Sequence, residues 1–428
     1  MTRFDQIEHA SLTDVGVRRS HNQDNYAIQL ASDDDGWRQR GHLFVVADGM
    51  GAHAVGEKAA EQAAQTIPHI YQKNAQQGPV PALRKAFVEA NAGIHACGQQ
   101  NREFEGMGTT STALVLRPDG AWIGHVGDSR CYRIRQGVIE QLSYDHSMVW
   151  EYARLQHLDP DEVEDIPHNV IFRCLGPEAL VQVDVEGPHA IEPGDIFLLC
   201  SDGLSGQVSD PEIGAFASVL PPAEACRFLV DLSNLRGGPD NITVLIVRIG
   251  SGPAPPPRPK PSLASQIPWW AGSMAGGTLL AVLAFLLLQM RSSGLAMPFL
   301  VVAVAAVLAG LVGFVISYRQ EQRRLADEDS NRPPAKAHRR RSCAVEKPII
   351  ERLLKALRTL EGIAAEKGWT PDWAVIKEQK AEGDAKLAAG ELAGAFRDYC
   401  RAMLPLMRTS QERRQKEEVF RPVWDKLK

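Results

Sequence analysis

Four short apolar runs in the first 250 residues are each punctuated by an aspartate, and this constrains the fold more than any other feature of the chain. LFVVA leads into Asp48, WIGHVG into Asp128 and IFLLCS into Asp202, while Asp240 immediately precedes NITVLIVRI. Continuous apolar runs of this length, bounded by Gly or Asp, read as buried strands. Each carboxylate is then expected at the tip of a rigid element rather than on a mobile loop. VGEKAAEQAAQTIPHIYQ and PALRKAFVEANAGIHACGQQ read as amphipathic helices between the strand-like runs.

The chain has 428 residues, enough for two or three units. Its charge is unevenly spread. Residues 1–250 carry 34 acidic against 19 basic residues, a net −15, whereas the remainder is net +10. An acidic front and a basic back suggest different partners. Seven cysteines at irregular spacing, with no CxxC pair, argue against a disulfide framework and a structural zinc site. The opening MTRFDQIEHASLTD has no apolar core of signal-peptide length, so the front region is expected to stay in the cytoplasm.

Two uncharged apolar segments, within 268–290 and 295–318, match the roughly 20 residues a helix needs to span the hydrocarbon core, and only RSSG separates them. They read as a transmembrane hairpin. Arg258 and Lys260 before it, with Arg319, Arg323, Arg324 and the RRR at 339–341 after it, put both outer ends on the cytoplasmic side. The expectation is a multi-pass protein of the inner, cytoplasmic membrane with both terminal regions in the cytoplasm.

The remaining segments follow from composition. Residues 1–250 form one front domain, 251–267 a Pro-rich spacer and 319–347 a basic, disordered juxtamembrane linker. In 348–428, Ile350, Leu353, Leu354, Leu357, Leu360 and Ile363 recur at three and four, giving one apolar stripe. A further run turns at Gly390 into a second helix, and the stretch is similar to one tetratricopeptide-type unit. This is expected to be a small helical docking domain, without catalytic groups, for an unknown protein partner.

The chemistry lies in TDVGVRRSHNQD at 13–24, ADGMGAH at 47–53, GMGTTST at 106–112, GDSR at 127–130, SDG at 201–203 and DN at 240–241. In this order they resemble the bacterial type 2C, metal-dependent protein phosphatases of the PPM family, with softer matches at YDHS, 144–147, and NVIFRCLG, 169–176. The resemblance covers about residues 8–250. It implies an α+β fold of two antiparallel sheets sandwiched between helices, to which the hairpin and the helical C-terminal domain are added.

The acids also make sense on their own terms. Hard divalent ions prefer oxygen ligands, and carboxylates gathered in one cleft repel one another unless cations offset them. By resemblance, Asp48 bridges two Mn or Mg ions, the Gly49 carbonyl ligates one, and Asp202 and Asp240 complete the other. Asp128 supports a weaker third ion. Arg19 clamps phosphate with its planar fork, and Asp24 orients water from behind the ligands. The implied reaction is hydrolysis of phosphoserine and phosphothreonine in proteins, the substrates of bacterial protein kinases, by in-line attack of a metal-bridging hydroxide.

Two positions depart from the family pattern. Met50 stands where animal members have histidine, leaving metal-bound water or His53 to protonate the leaving oxygen, and Gln23 stands where many relatives have glutamate. Cys131, Cys174 and Cys200 lack the arginine offset of a phosphate-cradling CxxxxxR loop, so a cysteine nucleophile is not expected. The rival readings are a catalytically weak docking module recruiting a partner through the C-terminal helices, and a two-metal phosphodiesterase or nuclease. The acidic front argues against the latter and against a nucleic-acid partner.

Overall fold

The computed structural model describes residues 7–51, 55–100, 102–104, 106–163, 165–167, 169–250 and 336–419, with isolated positions between 251 and 335. Residues 1–254 and 334–428 belong to one compact unit, and 255–333 form a second.

The first unit is built on two antiparallel sheets. One has the order β1 (Ile7–Asp14), β11 (Ile242–Ile249), β10 (Ile196–Cys200), β7 (Arg130–Arg135), β8 (Val138–Gln141), β12 (Arg339–Ser342). The other runs β2 (Asp24–Gln29), β3 (His42–Met50), β5 (Ser111–Arg117), β6 (Gly120–Val126), β9 (Asp184–His189), with the short β4 (Gly108–Thr109) beside β3. The short α1 (Asp34–Gln39) joins β2 to β3.

The apolar runs are continuous because both faces of each strand are covered. In β3, Leu43, Val45 and Ala47 pack under α2 (Val55–Asn74) and α3 (Pro79–Gln100), while Phe44 and Val46 face the other sheet. In β11, Leu245 and Val247 enter the inter-sheet core and Val244 and Ile246 point the opposite way, under α6 (Asp210–Val219) and α7 (Pro222–Leu235). Strand alternation thus converts one apolar run into contributions to two cores. The result is the expected helix, sheet, sheet, helix layering. Between β8 and β9 lies an insert carrying α4 (Met148–Gln156), and α5 (Asp202–Ser205) follows β10.

The C-terminal helices are α8 (Lys347–Glu366), α9 (Trp373–Ala388) and α10 (Leu392–Val419). The expected stripe is largely the buried face of α8, through Ile350, Leu353, Leu357 and Leu360. Gly390, at φ +81, makes the turn between α9 and α10. These helices share one core with α6 and α7, where the Phe396 and Phe216 rings stack at 5.2 Å. Arg401 pairs with Glu224 at 2.9 Å, and Arg397 Nε donates to the Val219 carbonyl at 2.7 Å. Among the described residues, the α8 stripe packs chiefly on α10, and α10 in turn packs on α6 and α7 of the body.

Two expectations need correction. Composition makes 319–347 an unstructured basic linker, but its described part contains a strand: β12 pairs antiparallel with β8, from Arg339 against Gln141 to Ser342 against Val138. An arginine run reads as solvated by composition, yet here each guanidinium meets a carboxylate. The membrane placement is also corrected. Among the described residues no helix is long and apolar enough to cross a membrane. The segments 268–290 and 295–318 lie almost wholly outside those residues, as does the spacer 251–267, and the multi-pass inner-membrane reading is withdrawn.

Candidate active site

The sequence-predicted acids converge where the ends of the two sheets meet. Asp24 opens β2 and stands opposite Asp48 in the β2–β3 ladder. Asp128 follows β6, Asp202 follows β10, and Asp240 precedes β11 by two residues. Arg19, Gln23, Asp48, Gly49, Met50, Asp128, Asp202 and Asp240 line one pocket of about 250 Å³. Elements far apart in sequence deliver these groups because each strand ends at the same edge of the sandwich.

Local packing fixes the tips. A Cβ on Gly203 would lie 2.0 Å from the Asn241 carbonyl oxygen, so only glycine lets the Asp202 turn approach the Asp240 turn this closely. Asn241 anchors the Arg19 loop: its Nδ2 donates to the Val15 and His21 carbonyls at 2.8 and 2.9 Å, and its Oδ1 accepts from the Gln23 amide at 2.8 Å. Ser201 Oγ donates to Asp24 Oδ2 at 2.7 Å. Arg19, with its side chain half exposed, donates from Nη2 to Asp240 Oδ2 at 2.7 Å.

The electrostatics are those of crowded, dehydrated acids. Burial pushes the Asp24 carboxyl up to about 7, opposed by the Ser201 hydrogen bond and reinforced by Asp202 and Asp240. Asp48 rises well above the carboxylate range through burial first, then through Asp24, Asp202, Asp128 and Asp240. Burial and the neighbouring Asp202 raise Asp128, and burial with Asp240 raises Asp202. The buried Oδ1 atoms of Asp24 and Asp202 have no hydrogen-bond partner among the described residues. Such a set of hard oxygen donors, costly to ionise together and incompletely hydrogen-bonded, suits divalent cations. Among the described residues no three acidic, His or Cys side chains already close on a single ligation point; the four carboxylates instead share the pocket wall.

Other expectations resolve individually. His146 lies behind the site. Its Nδ1 accepts from the Gly127 amide at 2.9 Å and its Nε2 faces Asp184 at 3.0 Å, so it buttresses the Asp128 turn. His53 lies outside the described residues. Cys131 and Cys200 are buried, and burial drives both thiols far above their usual range, which removes them as nucleophiles. Sequence reasoning assigns no role to Ser201 or Asn241, although SDG and DN contain them. It misses Arg130, Asn169, Arg236 and Arg339, which line a larger cleft of about 830 Å³ that shares Arg19, Asp128, Asp202 and Asp240 with the pocket. GDSR already holds the signal for Arg130; Arg339, about 200 residues downstream of it, has none.

Fold and site together fit the class of metal-dependent phosphate-ester hydrolases. The family comparison is specific. The protein phosphatase 2C family model matches residues 17–230, and the chain belongs to that family. It is a metal-dependent serine/threonine protein phosphatase. It is similar to protein phosphatase PhpP of Streptococcus pneumoniae, 36% identical over 249 residues, covering 56% of this chain and 97% of the relative. It also matches the serine/threonine phosphatase stp of Listeria monocytogenes, 33% identical over 241 residues and covering 55% of this chain and 93% of that one. The crystal structure of the Mycobacterium tuberculosis serine/threonine phosphatase PstP/Ppp superposes with a TM-score of 0.51 at 30% identity, over 57% of this chain and 99% of that one.

Proposed function

We propose that this protein removes phosphate from phosphoserine and phosphothreonine side chains of proteins. In this reading Asp48, Gly49, Asp202 and Asp240 hold two Mn or Mg ions, and Asp128 a weaker third. The observation that carries the reading is that these carboxylates and Arg19 line one pocket. Bound ions of this kind neutralise phosphate oxygens and supply an activated water.

The chain's own residues do the positioning. Arg19, at the pocket rim, presents a planar fork to two phosphate oxygens, a geometry lysine does not offer. Asp24, held by Ser201 and opposite Asp48 in the ladder, would act from behind the ligands by orienting the water that the bound ions activate. Met50 has no proton to transfer, so protonation of the leaving oxygen falls to solvent or to His53. The substrates are phosphoproteins made by protein kinases.

The test is phosphate release from a phosphothreonine peptide by the purified protein with Mn, with chelator, and with Asp240→Ala. Turnover that requires Mn and disappears in the variant is expected. Turnover that persists in chelator, or no turnover by folded, metal-loaded protein, overturns the reading.

A further inference from the structure

The cleft beside the metal pocket has one wall from the insert, including Trp150 and Asp161, and one from the body, including Asp210. Arg339 of β12 joins the two. Its Nη1 donates to Asp161 Oδ1 at 2.8 Å, its Nη2 donates to Asp210 Oδ2 at 2.5 Å, and its guanidinium lies 5.7 Å from the Trp150 ring centre. The side chain is only 7% exposed. Asp210 also accepts from Tyr132 Oη at 2.8 Å and lies 3.5 Å from Arg130, two residues beyond Asp128. Arg341, on the same strand, pairs with Asp159.

Around α4 the insert has only a small core. Its own apolar cluster comprises Val149, Ala153 and Val163 with Ile166, and Leu155 and Phe172 are more than half exposed. β12 lies outside the matched region 17–230 and reaches the site only by completing the edge of the first sheet.

We propose that the strand Arg339–Ser342 is an intrachain strap that completes the substrate cleft, with Arg339 as a positioning residue that sets the gap between the insert and α6 for the polypeptide flanking the phosphorylated side chain. The proposal rests on the phosphatase reading. A small aryl phosphate needs only the metal pocket, whereas a phosphopeptide must also lie in the cleft. The strap therefore governs selection of peptide over small ester, leaving the reaction at phosphorus unchanged. A guanidinium suits this place because its planar fork offers separate N–H donors to the two carboxylates, a spread that the compact ammonium of lysine does not match.

The experiment uses the full chain with Mn, comparing a phosphothreonine peptide with p-nitrophenyl phosphate. Arg339→Gln is expected to raise the peptide KM about tenfold, as expected for breaking a buried charge bridge, while kcat for both substrates and KM for the small ester stay within about twofold. Arg339→Lys is expected to fall between. Asp161 is 67% exposed, so Asp161→Asn tests the same bridge without threatening the fold, and a peptide KM raised roughly threefold is expected. Arg340→Ala, on the same strand as Arg339, removes only the pairing to Glu140 of β8; it is the control and is expected to match the parent. Equal losses on peptide and small ester, or an unchanged peptide KM in both Arg339→Gln and Asp161→Asn, overturn the strap. Loss of small-ester turnover in the parent chain would overturn the phosphatase reading instead.

Discussion

The two halves of the described unit use buried apolar surface to different ends. In residues 7–250, strands covered on both faces run outward and stop at polar tips, so burial of the shafts holds Asp48, Asp128, Asp202 and Asp240 against mutual repulsion. In residues 336–413, helical stripes bury Leu357, Phe396 and Met403 in one core with α6 and α7. There the charged groups fasten the helices and line no acid cluster. A catalytic site needs rigid elements that end together, not merely a well-packed core. Helices lying flat on a body contribute attachment, and only β12, which joins a sheet, reaches the cleft.

The largest test of this contrast is Asp48→Asn, expected to reduce turnover by about 10³-fold or more while leaving the thermal transition no lower, since a buried repulsive charge is removed. A comparable loss of stability would show that the acids hold the fold together and would break the comparison. The reverse experiment is Phe396→Ala, expected to cost about 3–5 kcal/mol in denaturant unfolding while the folded fraction retains its Mn requirement. Altered metal dependence there would mean the helices reach the site by a route other than β12.

A pH experiment sharpens the attachment side. Burial pushes the Asp231 carboxyl of α7 up to about 6, against the opposing influence of Arg227, the Gln411 hydrogen bond from α10, and Arg408. Its ionisation is harder folded than unfolded, so the stability is fully present below about pH 4 and declines as pH rises through about 6. Asp231→Asn is therefore expected to be up to about 3 kcal/mol more stable than the parent near neutral pH and equal to it under acid conditions. Parallel stability curves for the two chains would refute this. The smallest effect is at the α9–α10 crossing, where a Cβ on Gly383 would lie 2.7 Å from the Tyr399 ring. Gly383→Ala is expected to lower stability by about 1–3 kcal/mol through overpacking, with no change in peptide KM.

Much of this architecture is legible in the amino-acid sequence. Apolar runs ending at Asp48, Asp128 and Asp202 are visible because a strand covered on both faces needs an unbroken run, and the α8 stripe is visible because helix periodicity is local. The basic stretch misleads because composition reports solvation and cannot show that carboxylates 129 to 200 positions away will meet each guanidinium. Asn241 and Ser201 are on view within short motifs, but their role as struts exists only once the Arg19 loop and β2 are brought beside them.

The sequence alone therefore determined the apolar strands that lead to the acids, the helices marked by periodicity, and the family, since each is written in local pattern or in ordered motifs. The tertiary structure decided where the C-terminal segment goes. Whether an arginine run is solvated or ion-paired depends on which carboxylates the fold brings within reach, and that is settled by sheet edges and helix faces meeting across the chain, a long-range outcome that no window of sequence contains.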